Sequence, residues 1–205
     1  MKNQLALSLL ILAAPLCAAD AAAKPDCCCA APKPAVTVAA EPLSGHSIYQ
    51  LDARWTDDAG RPFNLVSLRG HPVVVAMFYA SCTYACPLLV ADVRRIEAAL
   101  PAAARGQTRI VLVSFDSQRD TPAALHAYRT RLGLDADWTL LHGSPDDVQE
   151  LAMVLGVKFK QDADGSFSHS NLVTVLNPAG EITHQRTGLQ GAVADTARAV
   201  TLAAR

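Results

Sequence analysis

Two cysteines lie four positions apart in the segment ASCTYACP, and their side chains and spacing suggest a specific chemistry. Thiolates at Cys82 and Cys86 could form a disulfide or bind a soft metal ion. The three intervening residues differ from the two of the C-x-x-C redox motif. On a helix, the two Cβ atoms would lie about 5–6 Å apart, whereas a relaxed disulfide needs about 3.8 Å. The spacing therefore favours a metal site, although a bent loop would still permit reversible oxidation.

The segments around these cysteines predict a strand, a short loop and a helix. Residues 73–79 form an unbroken apolar run, VVVAMFY, which is typical of a strand buried on both faces. A loop is predicted at residues 80–85, and Pro87 fits the first turn of a helix with apolar residues at helical spacing. The cysteines are therefore expected where a central strand ends and a helix begins. Sheets with alternating strands and helices place their chemistry there, and a helix N-terminus favours thiolate over thiol.

The remaining segments predict an α/β domain. Thr121 and Ser144 are predicted helix N-caps, each followed by a proline at the first helical position. The predicted strands are residues 51–56 and 63–68 as an opening hairpin, then 109–115, 138–141, 172–176 and 181–185; the predicted later helices are 121–131, 144–155 and 189–204. Residues 101–107 and 164–171 are predicted loops, and the second contains His169. This order predicts a central mixed sheet with helices on both faces, behind an N-terminal β-hairpin.

The N-terminal segment has the features of a secretory signal peptide. In residues 1–19, Lys2 is followed by an apolar stretch and then by small residues. Cleavage after Ala19 or Ala23 fits this pattern, and the alternative is an uncleaved membrane anchor, for which the apolar stretch is short. The prediction places the domain outside the cytoplasm, periplasmic or otherwise exported, either soluble or tethered to the inner membrane. Such a compartment is oxidising.

Residues 20–45 are predicted to be a flexible linker, and residues 46–205 a single domain. Alanine and proline dominate the linker and aromatic residues are absent, so it could not bury enough surface to fold alone. Its cysteines, Cys27, Cys28 and Cys29, are interpreted either as a tract that captures a soft metal or as thiols without that role, including lipid attachment or intermolecular bridging.

The formal net charge of the whole chain is −1. This near-neutral charge gives no sign of nucleic-acid binding.

Three segments resemble the Sco/SenC family of copper-binding proteins. They are MFYASCTYACP at 77–87, FDSQRDTP at 115–122 and HSNLVTVLNPAGEI at 169–182, and they keep the family's order. The resemblance covers roughly residues 47–205. It implies a thioredoxin-like fold and one copper ion, Cu(I) or Cu(II), bound by Cys82, Cys86 and His169. Where the family usually has Asp-Pro this chain has Asp116-Ser117, so Asp116 remains a candidate for orienting a ligand.

The resemblance also implies a role in assembling the dinuclear copper centre of cytochrome c oxidase. The chain would then be a metallochaperone rather than an enzyme, with the copper-accepting subunit of a respiratory oxidase and other periplasmic copper carriers as its partners. Two thiolates and an imidazole suit copper in either oxidation state. Zinc accepts the same ligands, but a structural zinc site needs a fourth.

A thiol–disulfide oxidoreductase that keeps acceptor cysteines reduced is the alternative function. Cys82 or Cys86 would then be the attacking thiolate. Thioredoxin-like enzymes usually carry a cis-proline before the strand that faces the cysteines, and this chain has Asn171-Leu172 there.

The remaining histidines are expected on the surface, with His46 and His71 unplaced relative to the cysteines. Of the aromatic residues beside the motif, Phe78 is expected in the core, whereas Tyr84 fits either the core or a surface near the metal.

Overall fold

The structure is a computed structural model that describes residues 42–205. The predicted signal peptide, most of the predicted linker and Cys27, Cys28 and Cys29 lie outside the described residues, and those predictions stay predictions. Within residues 42–205, no helix has both the length and the hydropathy needed to span a bilayer.

The domain opens with the predicted β-hairpin. A 3₁₀ turn at Ile48–Gln50 leads to β1 (Trp55–Asp57), which pairs antiparallel with β2 (Pro62–Phe63). The second strand is shorter than predicted because Asn64 caps a 3₁₀ turn at Leu65–Leu68 by accepting a hydrogen bond from the Val66 N–H at 3.0 Å. The hairpin therefore ends just before the turn that leads into the central strands.

The central elements follow in the predicted alternating order. They are β3 (Val73–Phe78), α1 (Ala85–Ala98), α2 (Ala102–Gln107), β4 (Arg109–Ser114), α3 (Pro122–Leu132), β5 (Trp138–Gly143), α4 (Pro145–Leu155), β6 (Phe159–Gln161), β7 (Phe167–His169), β8 (Leu172–Leu176), β9 (Ile182–Thr187) and α5 (Ala194–Ala203). Thr121 and Ser144 cap α3 and α4, as predicted, by accepting hydrogen bonds from backbone N–H groups of the first turn.

A mixed sheet of seven strands forms the centre, in the order β2-β1-β5-β4-β3-β8-β9. The strand β3 is parallel to β4 and antiparallel to β8, and β4 is parallel to β5. Every residue of β3 and of β8 is buried, which agrees with their apolar sequences. Helices α1 and α4 contribute buried residues to the same hydrophobic core. The predicted α/β architecture is confirmed.

Two predicted loops contain regular structure. Residues 101–107 include the short helix α2, and residues 164–171 include the strand β7. The strand β7 pairs antiparallel with β6 in a separate two-stranded sheet, with Phe159 opposite His169 and Gln161 opposite Phe167. His169 is therefore the last residue of a short strand rather than part of a loop. The pairing that orders it comes from another segment, so its own polar surroundings gave no sign of a strand.

The last helix begins five residues later than predicted, at Ala194. Gln190 adopts a left-handed backbone conformation, with φ of 57°, and its N–H donates a hydrogen bond to the buried carboxylate of Asp92 at 2.7 Å. That conformation interrupts a right-handed helix, and the contact with Asp92 depends on the tertiary fold.

The topology brings three distant segments to one edge of the sheet. Because β3 and β4 are parallel, with Phe78 opposite Ser114, the residues that follow both strands emerge at the same edge. Because β8 runs antiparallel to β3, with Ala76 opposite Val173, the residues that precede β8 arrive at that edge as well. The cysteine loop, the loop after β4 and the end of β7 therefore meet there.

Candidate metal site

Cys82, Cys86 and His169 come together at this edge. Cys82 lies in the loop after β3, Cys86 in the first turn of α1, and His169 at the end of β7. One potential ligand atom from each lies within 4.8 Å of the other two, and Cys86 Sγ is 4.0 Å from His169 Nε2. Two metal–ligand bonds of about 2.0–2.3 Å each span at most about 4–4.6 Å. The three ligand atoms therefore need to move inward only slightly to bind one ion. Within residues 42–205, no other group of three His, Cys, Asp or Glu side chains has this arrangement.

Cys82 is the more accessible and the more acidic of the two thiols. Cys82 is buried, at 9% exposure, but less completely than Cys86, and its Sγ accepts a hydrogen bond from the Cys86 N–H at 3.3 Å. Burial raises the pKa of Cys82, but hydrogen bonds from the backbone of Cys86 and Tyr84, and from the side chains of Cys86 and Tyr79, outweigh it, so the pKa lies below its usual value. The Cys82 thiol therefore loses its proton more readily than an ordinary cysteine thiol.

Cys86 has the opposite character. It is fully buried, at 0% exposure, and the Tyr79 N–H lies 3.5 Å from its Sγ. Burial strongly raises the pKa of the Cys86 thiol, and the neighbouring Cys82 raises it further. Without a metal this thiol keeps its proton at neutral pH, and a metal that binds it must displace that proton.

His169 presents one ring nitrogen to the cysteines. Its Nδ1 lies 3.2 Å from the Ser170 carbonyl oxygen, a contact that suits a protonated Nδ1 and leaves Nε2 as the lone-pair donor facing Cys86. The ring lies 5.0 Å from the Phe115 ring and, edge-on, 5.9 Å from the Tyr79 ring. The imidazole is thus oriented by one backbone contact and by aromatic neighbours.

An aromatic cluster forms one side of the site. Tyr79, Phe115, Phe159 and Phe167 pack together, with neighbouring ring centroids 5.1–6.3 Å apart. Tyr79 belongs to the MFYASCTYACP segment and Phe115 begins the FDSQRDTP segment, whereas Phe159 and Phe167 come from the β6–β7 hairpin. The cluster shields the imidazole from water on this side.

The other aromatic residues beside the motif have different surroundings. Phe78 is buried against Tyr128, with ring centroids 4.9 Å apart, and belongs to the core as predicted. Tyr84 is 75% exposed. It therefore lies on the surface next to the cysteines, the second of the two environments that its sequence position allowed.

Two buried aspartates hold the loops around the site. Asp116, the candidate for orienting a ligand, instead forms an ion pair with the Arg119 side chain and accepts a hydrogen bond from the Arg119 N–H at 3.1 Å. Asp120 was not singled out from the sequence, although it belongs to the same motif. Its Oδ2 accepts hydrogen bonds from the Ala80 N–H at 2.7 Å and the Ser114 hydroxyl at 2.6 Å. Asp120 thereby ties the start of the cysteine loop to the end of β4.

Three of the remaining described histidines, His46, His71 and His184, lie away from the cysteines. His71 Nδ1 is 3.0 Å from the Gln107 carbonyl oxygen, at the opposite edge of the sheet from the site. His46 lines an open cleft with Glu181, beside the turn between β8 and β9 at that opposite edge. His184 contacts Thr196, at 3.1 Å. His46 and His71 are therefore not ligands of this site.

Comparisons with known proteins agree with this geometry. The sequence profile described as SCO1/SenC matches residues 44–202. A protein of Stutzerimonas stutzeri named "Putative copper-binding protein" is 30% identical over 130 residues, which are 62% of this chain and 63% of that protein. The match therefore spans less than two thirds of the length of this curated relative.

Solved structures share the fold. The crystal structure of Arabidopsis thaliana ScoI with copper bound superposes with a TM-score of 0.63 and 17% sequence identity. The match covers 74% of this chain and 94% of the ScoI chain. A second solved structure is that of BsSco, a member of the Sco family of cytochrome c oxidase assembly proteins in which a disulfide switch was identified. It matches with a TM-score of 0.65 and 21% sequence identity, over 74% of this chain and 90% of the BsSco chain. The predicted thioredoxin-like fold is confirmed by these likenesses.

Proposed function

This chain belongs to the SCO1/SenC family, and from that membership we propose that it is a copper metallochaperone that binds one copper ion through Cys82, Cys86 and His169. The observation that carries the proposal is the convergence of one ligand atom from each residue within 4.8 Å. The copper-bound ScoI structure and the name of the Stutzerimonas relative support copper as the cargo. Two thiolates and an imidazole are a soft ligand set, which suits copper.

The surroundings of the three residues suit transfer as well as binding. Three protein ligands leave a coordination position for a ligand of the acceptor, so copper can pass by exchange without being released into water. Both cysteines are buried, but Cys82 at 9% exposure is closer to solvent than Cys86 at 0%. We expect the acceptor to displace Cys82 first, because its thiolate is less basic and therefore a weaker donor, and because it is the less enclosed of the two.

Zinc is the less suitable cargo. A structural zinc site is closed by four protein ligands. Among the described residues, the group around Cys82 contains no fourth histidine, cysteine or carboxylate. A permanent, closed zinc site would therefore lack a ligand, whereas a transient copper site needs the opening.

The proposed cellular role is delivery of copper to a respiratory oxidase. The description of BsSco as a member of a family of cytochrome c oxidase assembly proteins supports an acceptor of this kind. We further propose that residues 1–19 export the chain, that residues 20–45 form a linker and that residues 46–205 are the copper-binding domain. In this arrangement the acceptor is the copper-accepting subunit of the oxidase, and other periplasmic copper carriers exchange copper with the same domain.

The ligand assignment is tested by metal titration of the reduced full chain in which Cys27, Cys28 and Cys29 are replaced by serine. We expect one equivalent of copper, with thiolate-to-copper charge-transfer bands in the Cu(II) form. Cys82→Ser or Cys86→Ser should abolish tight Cu(I) binding, because one thiolate is lost. His169→Ala should keep both thiolates, weaken Cu(II) binding and shift the charge-transfer bands.

His71→Ala is the matched control, since it removes an imidazole at the opposite edge of the sheet. It should leave both the affinity and the spectrum unchanged. Full Cu(I) affinity in Cys82→Ser would refute the assignment.

The second candidate function is a thiol–disulfide oxidoreductase. The opposite pKa shifts of the two neighbouring thiols favour it, because an acidic, accessible Cys82 could attack and a buried Cys86 could resolve the mixed disulfide. An absence of copper binding, together with a Cys82–Cys86 disulfide that readily forms and is readily reduced, would favour this function. The two functions need the same thiols and are compatible in one protein.

A further inference from the structure

His169 is carried by a hairpin that lies outside the main sheet. Strands β6 and β7 pair with each other and form a sheet of their own. The position of His169 relative to the cysteines therefore depends on what holds this hairpin against the rest of the domain. Two sets of contacts do so: one along its face and one at its turn.

The face of the hairpin is held without charged groups of the domain. The base is closed within the hairpin itself, where Ser170 N–H donates to the Lys158 carbonyl at 2.8 Å and Lys158 N–H donates to Ser170 Oγ at 2.9 Å. Along the face, Phe159 and Phe167 lie 5.1 and 5.2 Å from the Phe115 ring. Aromatic packing of this kind contributes stability beyond the buried area, but it fixes no hydrogen-bond geometry.

A single cation holds the turn. Arg119 donates a hydrogen bond from Nη2 to the carbonyl of Gly165, which lies in the turn between β6 and β7. Its guanidinium carbon lies 5.7 Å from the centre of the Phe167 ring. On its other side, Arg119 pairs with Asp116, a carboxylate that is buried in the loop after β4.

We propose that Arg119 is a positioning residue that fixes the hairpin so that His169 stays within reach of the copper ion. Phe167 and His169 lie two residues apart on β7 and therefore on the same face, and both contact Phe115. A shift of Phe167 must consequently move His169. The planar guanidinium can pair with a carboxylate and lie against a ring at the same time, which lets Arg119 join the domain to the hairpin.

The effect on copper follows from this arrangement and rests on the proposed function. In Arg119→Gln, the hairpin loses its contacts at the turn while both cysteines keep theirs. Cu(II) binding, which uses the imidazole, should weaken about 10- to 100-fold, the usual range for losing a group that orients a ligand. The charge-transfer bands should move towards those of His169→Ala, and Cu(I) affinity should change less than about threefold because both thiolates remain.

A double-mutant cycle separates positioning from general damage. It compares the parent, Arg119→Gln, His169→Ala and the double variant, all in the full chain with Cys27, Cys28 and Cys29 replaced by serine. Arg119→Gln should have no further effect once His169 is absent. Arg61→Gln is the matched control, because Arg61 forms an ion pair, with an N–O distance of 2.8 Å, with a buried aspartate, Asp57. This ion pair lies far from the site. An equal loss in the His169→Ala background, or in Arg61→Gln, would overturn the proposal.

Hydrogen exchange of the metal-free protein tests the same proposal without copper. Amides of β6 and β7 should exchange at least about tenfold faster in Arg119→Gln, while those of β3 keep their rates. Arg119→Gln leaves the buried Asp116 without its ion-pair partner, which could destabilise the whole domain. The double variant Asp116→Asn with Arg119→Gln removes that buried charge and should still show faster exchange in β6 and β7. Unchanged exchange in the hairpin would overturn the role of Arg119. Failure of the parent to bind copper would instead overturn the proposed function.

Discussion

At the scale of single residues, the two cysteines of the site differ in what surrounds their sulfur atoms. Cys82 Sγ accepts hydrogen bonds that stabilise a thiolate, whereas Cys86 is enclosed and its pKa is raised by burial. The difference arises because Cys82 lies in the loop, where backbone N–H groups are free to donate, and Cys86 lies in the first helical turn beneath it. The pair therefore combines one reactive sulfur with one protected sulfur.

This asymmetry predicts the order of alkylation in the reduced, metal-free protein. Iodoacetamide at pH 7 should modify Cys82 well before Cys86, and the rate should fall as the pH is lowered through the pKa of Cys82. Tyr79→Phe removes the hydroxyl that hydrogen-bonds to Cys82. Its loss should raise the Cys82 pKa, reduce the thiolate fraction at pH 7 and slow the reaction several-fold. Peptide mass mapping over time measures both effects, with Cys27, Cys28 and Cys29 replaced by serine.

Tyr84→Phe is the control for that experiment. The Tyr84 side chain is exposed, and its influence on Cys82 comes from its backbone, which the substitution keeps. The alkylation rate of Cys82 should therefore stay at the parent value. Faster labelling of Cys86 than of Cys82 in the parent would contradict the assignment of the two environments.

At the scale of elements, the pairing of β1 with β5 depends on a glycine. Gly143 lies opposite Trp55 in that pairing, and a Cβ at this position would lie 2.5 Å from Cζ3 of the buried indole. Gly143→Ala should therefore destabilise the domain by about 1–3 kcal/mol through overpacking. The urea midpoint of unfolding measures this loss.

Gly106→Ala provides the comparison within the same fold. Gly106 lies in α2, and a Cβ there meets nothing within 4 Å. Since alanine is favoured over glycine in a helix by about 0.5–1 kcal/mol, this variant should be as stable as the parent or slightly more stable. A Gly143→Ala variant as stable as Gly106→Ala would show that the β1–β5 packing yields easily.

The elements that the sequence predicted are those with a strong local signal. The apolar run of β3 and the N-caps Thr121 and Ser144 each depend on residues within one segment. The errors have a different origin. The short strand β7 is defined by its pairing with β6, and the late start of α5 is defined by the contact between Gln190 and Asp92.

The same distinction applies to the site. Cys82 and Cys86 were predicted from one motif, and His169 was added by the family resemblance rather than by any local pattern. Arg119 and Asp120 were missed because their roles depend on contacts with the β6–β7 turn and with the cysteine loop. Such roles become visible only when segments far apart in the chain are placed together.

At the scale of the whole molecule, the cysteines of the predicted linker are a separate question. If Cys27, Cys28 and Cys29 capture copper, replacing all three with serine should lower the copper stoichiometry of the full-length protein. The site formed by Cys82, Cys86 and His169 would keep its own equivalent. Metal analysis after gel filtration measures the difference, and an unchanged stoichiometry would rule out the capture interpretation.

The antiparallel pairing of β8 with β3 also sets the time at which the site can exist. Cys86 and His169 are 83 positions apart, and at about 5–20 residues per second a ribosome needs roughly 4–17 s to make that stretch. Throughout this interval the growing chain carries both thiols without the imidazole. A soft ion captured then would meet only the two sulfur ligands, in a chain that has not yet paired β8 with β3. The order of synthesis thus means that the imidazole completes the three-ligand site last, after both sulfur ligands are already in the chain.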